Sequence, residues 1–405
     1  MLSKNPIRRL SRPARMDEGV TRALSREWLV TNGLGGYASG TLPNVPTRRY
    51  HGLLVAARPA PEGRVLVLNH LQERFETGDG SSVDFGSLER VGQPQITPFV
   101  GDALSEFRLE AGLPVWRFSL GGCTLERRVV LVHGRNVSHV LYQVVEGSTP
   151  VRVFLRPFWN IRPHDAPVNT PIDETILDWK VDGLRIEHPG SGSHPAVRLH
   201  LSASNTQIDS DPKVERDIFY RIEAERGYAE RGDLHSPGSL SFDVLPGRFS
   251  ALSVSVEPWA RFLDTPPEMA LNHEIERRQQ LLQRASPRAR DGLGAELVLA
   301  ADMFLIKPVA HESANLGDQS RSVIAGYPWF TDWGRDTMIS LPGLTVSTGR
   351  LQEGRQLLLT FAAALKDGLI PNLFPEGQSE GVYHTADATL WFFHAVDAYV
   401  RASGD

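Results

Sequence analysis

The stretch DTPPEMALNHEIERRQQLLQRA (264–285) divides the chain in two. Before it, the sequence consists of short runs of β-branched and aromatic residues. After it, apolar residues recur at helical spacing. Pro266 and Pro267 stand where a helix can begin, because proline's fixed φ suits the first turn and its missing N–H is no loss there. Residues 264–290 therefore read as a linker helix with its flanks, joining two domains of different class.

Working backward, RVLVLNH (64–70), TLERRVVLV (124–132), VSHVLYQVV (137–145) and VRVFLRPFW (151–159) have the composition of strands, and several alternate apolar with polar. VEGSTP (145–150), HPGSGSHP (188–195) and LPGR (245–248) punctuate them with turn residues. Many short strands without an intervening helical pattern predict an antiparallel β-sandwich over 27–263. Residues 1–26 are expected to form a solvated tail. The first fifteen carry five basic residues and no acid, and they lack the apolar stretch of a secretory signal; Met16 is an alternative start.

Working forward, GLGAELVLAADMFLIK (292–307) aligns Leu293, Leu297, Ala301 and Leu305 at i+4 spacing. In GRLQEGRQLLLTFAAALKDG (349–368), Leu358, Ala362 and Leu365 align and Gly368 stands at the expected helix end. ADATLWFFHAVDAYVRASG (386–404) has a broad apolar face and also closes on glycine. Short Gly/Pro loops between such segments predict packed α-hairpins over 291–405. Trp391, Phe392 and Phe393 in succession leave ring surface in need of cover, so the chain is expected to be a fragment of a longer protein.

Composition narrows the function. A formal net charge of -5 with 22% charged residues lacks the basic face of a nucleic-acid protein. No apolar run is long enough for a membrane helix. The single cysteine, Cys123, excludes an intramolecular disulfide framework and fits a reducing cytoplasm.

Four motifs carry chemistry or imitate it. NGLGGYASG (32–40) has the glycine spacing of a dinucleotide fingerprint, but Pro43 and Pro46 forbid the helix that must follow. It reads as a glycine-rich surface turn, with an active-site flap as the alternative, and no cofactor is expected. TRRYHG (47–52) is open between a polar strand entry and a set of groups lining a polar substrate. His311-Glu312 lacks the second histidine of a helical zinc site, so no metal is expected. WFTDWGRDT (329–337) is different in kind. A helix starting near Asp332 puts Asp332 and Asp336 on one face with Arg335 beside them, flanked by Trp329 and Trp333. Indole faces stack on sugar C–H groups while carboxylates and guanidinium meet the hydroxyls. The competing description is a salt-bridged helix N-terminus over two core tryptophans.

LIPNLFPEGQSEGVYHTADATLW (369–391) adds Asn372, Glu376 and Glu380 on a Pro-broken loop, then Asp387 in the first turn of an aromatic helix. Two carboxylate clusters at helix starts match the needs of glycoside hydrolysis, in which one carboxyl protonates the leaving oxygen and another activates water.

YPWFTDWGRDT, LIPNLFPEG and YHTADATLWFF strongly resemble the C-terminal domain of bacterial and archaeal glycogen debranching enzymes, the amylo-α-1,6-glucosidases, and EWLVTNGLGGYASGTLPNVPTRRYHGLLVA (27–56) resembles the start of their N-terminal β-domain. The resemblance implies a β-sandwich followed by the first part of an (α/α)6 toroid, and inverting hydrolysis of α-1,6-linked glucose in glycogen or a branched α-glucan oligosaccharide. WGRDT also resembles the Arg-Asp pair by which glucoamylases grip the terminal glucose, which implies that role for Arg335 and Asp336. Asp387 matches the family's general acid, and its base is expected beyond residue 405, so this chain alone is expected to be inactive. The expected substrate-binding set is Trp329, Asp332, Trp333, Arg335, Asp336, Asn372, Glu376 and His384. Rival readings are a glucoamylase- or trehalase-like hydrolase and a non-catalytic glucan-binding protein. A helix N-terminus lowers the pKa of Asp387, whereas a general acid needs it raised; aromatic packing and a nearby carboxylate are the available opposing influences.

Overall fold

The structure, a computed structural model, describes residues 7–10, 21–92, 103–190, 192, 194–309, 317–376, 378 and 380–405. His311, Glu312 and Met16 lie outside the described residues.

The N-terminal part is built from antiparallel sheets. The largest has nine strands in the order Ile7–Leu10, Leu104–Glu110, Leu113–Leu120, Cys123–Leu131, Val137–Glu146, Phe249–Ser255, Val197–Ser202, Arg185–His188 and Lys180–Asp182. A five-stranded sheet runs Ser204–Asp209, Ser239–Val244, Val151–Phe158, His70–Thr77 and Ser82–Phe85. Alternation explains its orientation: Val151, Val153 and Leu155 are buried, while Phe154 between them is exposed. The buried rows of the two sheets meet. Phe75 packs 4.9 Å from Phe118, and Tyr142 lies 5.8 Å from Phe242, ring centre to ring centre. Each such fully buried aromatic contributes about 1.5–3 kcal/mol through the water it sheds. The tail expected to be solvated is structured at Ile7–Leu10, which pairs with residues 107–110.

A second five-stranded sheet faces the helical part. Its order is Arg162–Pro163, Arg64–Leu68, Gly52–Ala57, Tyr37–Thr41 and Glu27–Thr31. Tyr37, Val55 and Leu66 from this sheet form one apolar cluster with Ile306, Ile324 and Tyr327. The glycine-rich turn before Tyr37 lies in this seam. Gly33 is buried, and a Cβ there would meet the His133 ring at 2.3 Å. Its carbonyl accepts the Lys307 N–H at 2.8 Å. The expectation of a surface turn is thus corrected: long-range packing against the helical part covers it.

Five α-helices follow residue 264 among the described residues: α1 (Pro267–Arg284), α2 (Gly292–Phe304), α3 (Gly334–Leu341), α4 (Leu351–Ala363) and α5 (Asp387–Ser403). Helix α1 starts at the proline pair and lies on the β-sheets, with Leu271 in their core and Arg278 donating to the Ala111 carbonyl at 3.0 Å. No helix of the described residues is long and apolar enough to cross a membrane.

Two predicted stripes are buried only in part: Ala301 and Leu305 of the first and Leu358 of the second are in the core, and the other members are not. In α2, Leu293 and Leu297 are 71% and 62% exposed, and Ala295, Val298 and Leu299 face inward instead. In α4, Leu357, Leu358 and Phe361 are buried, while Ala362 is exposed. Leu365 is exposed too, and Gly368 serves a turn closed by Lys366 and Leu369 after the helix has ended. Helix α5 does close on glycine: Gly404 adopts φ 73° and donates to the Val400 carbonyl at 2.8 Å. Leu390 and Phe393 of α5 are exposed, as the run of rings implied.

Candidate active site

Single backbone bridges place the first charged cluster. Ile324 bridges Asp332, Trp333 bridges Leu373, and Leu373 bridges Val382. Trp333 stays extended at φ -113°, ψ 125° and offers no side-chain cap to α3. The first N–H of the helix, that of Gly334, instead donates to the Asn372 carbonyl at 2.8 Å. A Cβ at 334 would lie 2.0 Å from the Pro371 carbonyl oxygen, so only glycine permits this approach.

This arrangement corrects the expected helix start. Asp332 precedes α3, so it does not share a helical face with Asp336. It is buried, and its Oδ2 accepts the Ser322 hydroxyl at 2.8 Å. Asp336, in the first turn, is half-exposed. Its Oδ2 is shielded from solvent and finds no hydrogen-bond donor among the described residues. Arg335 lies 3.9 Å from that oxygen through Nε, too far for a hydrogen bond. Trp329 is 43% exposed and meets Arg48 and Arg226 of the β-sheet part, each guanidinium carbon 5.5 Å from the ring centre. Phe330 and Trp333 meet edge to face at 6.1 Å.

The second cluster converges on the first. Helices α3 and α5 share a core in which Met338 and Leu341 join Ala395 and Tyr399. Their first turns meet, and Arg335 Nη1 donates to Asp387 Oδ2 at 3.2 Å. The other oxygen of Asp387 accepts the Ala388 N–H at 2.9 Å. Thr389 Oγ1 accepts the Ile370 N–H at 3.0 Å, tying the preceding loop to α5. The Thr385 hydroxyl, then the Arg335 guanidinium, and also the Ala388 N–H, hold the Asp387 carboxyl below the usual carboxylate range. In this state it is a half-exposed carboxylate, and withdrawal from water is what can turn it toward proton donation.

The remaining candidates divide. Asn372 is buried, and its Oδ1 has no hydrogen-bond partner among the described residues. His384 is exposed. Glu376 does not stand free for a ligand. Its carboxylate takes the Arg64 N–H at 2.7 Å and Arg64 Nε at 2.9 Å. Arg64 is thus a residue of the site that sequence reading missed. A lone arginine opening the apolar run RVLVL gives no local sign of a partner 312 positions away. The open question at TRRYHG is answered in part: Arg48 pairs with Glu27 at 2.6 Å and Arg49 with Glu223 at 2.7 Å, while Arg48 also meets Trp329.

Chemically, the convergence sets one guanidinium beside two half-exposed carboxylates at paired helix starts, with shielded acceptors at Asp336 and Asn372 and indole surface nearby. Such a set can hydrogen-bond a hydroxyl-rich ligand, whose O–H groups donate to carboxylates and accept from a guanidinium.

Comparison with known proteins identifies the family. Residues 26–249 match the family described as Glycogen debranching enzyme N terminal, and residues 297–405 match Amylo-alpha-1,6-glucosidase. A glycogen debranching enzyme of Saccharomyces cerevisiae is 43% identical over 89 residues, which are 21% of this chain and 6% of the yeast protein. Among solved structures, a putative kojibiose phosphorylase from human microbiome shares the fold at a TM-score of 0.51 and 9% identity, covering 99% of this chain and 56% of that one. A bacterial glucoamylase complexed with acarbose aligns at a TM-score of 0.43 and 11% identity over 98% of this chain and 60% of its own. The chain thus spans less than two thirds of the length of each of these relatives. Two family matches in the right order, the first covering more than half of the chain, settle its membership: it belongs to the glycogen debranching enzyme family.

Proposed function

We propose that this chain carries the glucose-recognition groups and the proton donor of a glucan hydrolase acting on α-1,6 branch points of glycogen or limit dextrins in the cytoplasm. The observation that carries the reading is Arg335 standing between Asp336 and Asp387, 3.9 Å from one carboxylate and 3.2 Å from the other. Arg335 and Asp336 take the hydroxyls of the non-reducing glucose, with Asn372, Trp329 and Trp333 completing the contact. Asp387 protonates the glycosidic oxygen. A sugar seated at the α3 and α5 starts displaces water from Asp387 and draws Arg335 toward its own hydroxyls. Both changes raise the Asp387 pKa, the direction a general acid requires. Inverting hydrolysis needs a second carboxylate to activate water on the opposite face; we assign that role to none of the residues described above. The fold shared with the kojibiose phosphorylase supports reading α2–α5 as the first part of an (α/α)6 toroid.

The test is Asp387→Asn in the complete protein that contains this chain. Glucose release from a limit dextrin should fall by roughly 10²–10⁴-fold, while retention on immobilised glucan stays. A near-normal kcat places the acid elsewhere. Release of glucose from α-1,4 chains or trehalose in preference to α-1,6 branches overturns the substrate assignment.

A further inference from the structure

Arg64 joins the β-sheet part to both loops that carry the candidate site. It opens the strand Arg64–Leu68 and is 4% exposed. Besides its backbone N–H and Nε contacts to Glu376, Arg64 Nη2 lies 2.8 Å from Glu376 Oε2. Nη2 also donates to the Phe330 carbonyl at 3.0 Å, and Nη1 to the Pro328 carbonyl at 3.4 Å. Pro328 and Phe330 lead directly into Trp333 and Arg335; Glu376 lies on the loop that leads to Asp387. His164 braces the same point, since its N–H donates to the Arg64 carbonyl at 3.0 Å and its Nε2 lies 3.2 Å from the Pro328 carbonyl oxygen.

A planar guanidinium can hold a carboxylate and two carbonyls at once in fixed directions, whereas an ammonium has neither the fork nor the reach. Arg64 is the buried member of the pair and Glu376 is partly exposed, so removing Glu376 leaves a buried guanidinium without its counter-charge. The tie is therefore stiff, and it spans the two segments whose separation fixes where Arg335 stands relative to Asp387.

We infer that Arg64 is a positioning residue for hydrolysis: through Glu376 and the Pro328 and Phe330 carbonyls, it sets the alignment of Arg335 with Asp387. The inference rests on the reading of those two residues given under Proposed function. A merely structural tie would affect stability alone. A positioning tie affects turnover in the folded protein, because small misplacements of reacting groups cost on the order of 100-fold in rate.

The experiment compares Arg64→Ala, Arg64→Lys, Glu376→Gln and Asp387→Asn in the complete protein, assayed on a limit dextrin at a temperature where circular dichroism shows each to be folded. Arg64→Ala should lower kcat by on the order of 100-fold with KM changed little. Millimolar guanidinium ion should restore part of that loss, and Arg64→Lys should fall between. Unchanged kcat in folded Arg64→Ala, or a change confined to KM, overturns the inference. Should Arg64→Ala not fold, Glu376→Gln decides, since it keeps shape and an acceptor for the Arg64 N–H: full kcat there overturns the inference, and a loss of about tenfold or more supports it. The two readings fail separately. A dead Asp387→Asn beside a fully active Arg64→Ala removes only the positioning role. A fully active Asp387→Asn beside a slow Arg64→Ala removes only the assignment of the acid.

Discussion

Arg127 with Glu73 in the β-sheets and Arg335 with Asp387 at the α3 and α5 starts are chemically the same pair in opposite surroundings. The first is fully buried at 2.7 Å, with the Tyr142 hydroxyl donating to the second Glu73 oxygen at 2.7 Å and Trp116 4.5 Å from the guanidinium. Burial pushes the Glu73 carboxyl up, against the pull of Arg127 and Tyr142. The second pair is 41% and 42% exposed at 3.2 Å. Stripped of water, the buried pair can lose neither member without leaving a charge stranded. The open pair is worth little to stability, so its hydrogen bonds can be exchanged for those of a ligand. Position in the fold, more than residue type, separates an ion pair locked into the architecture from one that can exchange its partners.

The largest effect expected from this contrast is on stability. Glu73→Ala should cost about 3–5 kcal/mol of unfolding free energy, whereas Asp387→Ala should leave the unfolding midpoint nearly unchanged. Denaturant unfolding curves measure both, and equal losses would erase the contrast. Next comes Gly334→Ala, which forces a methyl group onto the Pro371 carbonyl. It should cost about 1–3 kcal/mol and impair turnover together with stability. A neutral outcome in both would show that α3 is not pinned where the backbone places it.

A third prediction turns on pH. Burial lowers His70 and His133 to about 4 and His139 to about 3. In the unfolded chain such groups take up protons near the ordinary histidine value of about 6.5. Between that value and the folded one, the unfolded state binds more protons. Stability is thus fully present above about pH 6.5 and declines as pH falls, by up to about 1.4 kcal/mol per pH unit for each histidine. Urea midpoints at pH 7 and pH 5 should show this loss, and His70→Asn should shrink it; a flat profile would remove the buried histidines from the account. The smallest effect belongs to the open pair. Arg335→Gln removes a cation from Asp387, so the Asp387 pKa rises and the acid stays protonated to higher pH. The alkaline limb of kcat/KM should move upward, and only slightly, given the exposure of the pair. A downward shift would exclude Asp387 as the acid that this limb reports.

The same contrast explains what the sequence could tell. Strands such as Val151–Phe158 and the helix starting at Pro267 were legible because alternation and proline placement are local signals. The buried face of α2 was not: GLGAELVLA is apolar almost all round, so periodicity cannot choose between Leu293 and Val298. The two acid-rich helix starts suggested one shared pocket from the motifs themselves, whereas the Arg335–Asp387 contact within it was not legible. Asp332 misled because the Ile324–Asp332 bridge, visible only in the fold, sets it before the helix and beside Ser322. Gly33 misled for the same reason, since what covers it comes from His133 and Lys307. Glu376 looked like a ligand residue because its partner, Arg64, lies in the other part of the chain.

The seam also bears on recombination. A chimera joined at the proline pair, taking its sheets from one relative and its helices from another, would cut the chain at a sensible point in sequence and at a poor one in space. Residue 64 would meet a foreign residue 376, and Tyr37, Val55 and Leu66 would meet foreign residues at 306, 324 and 327. Exchange between relatives should succeed when these side-chain contacts are matched, and fail when the crossover respects only the change from strand to helix.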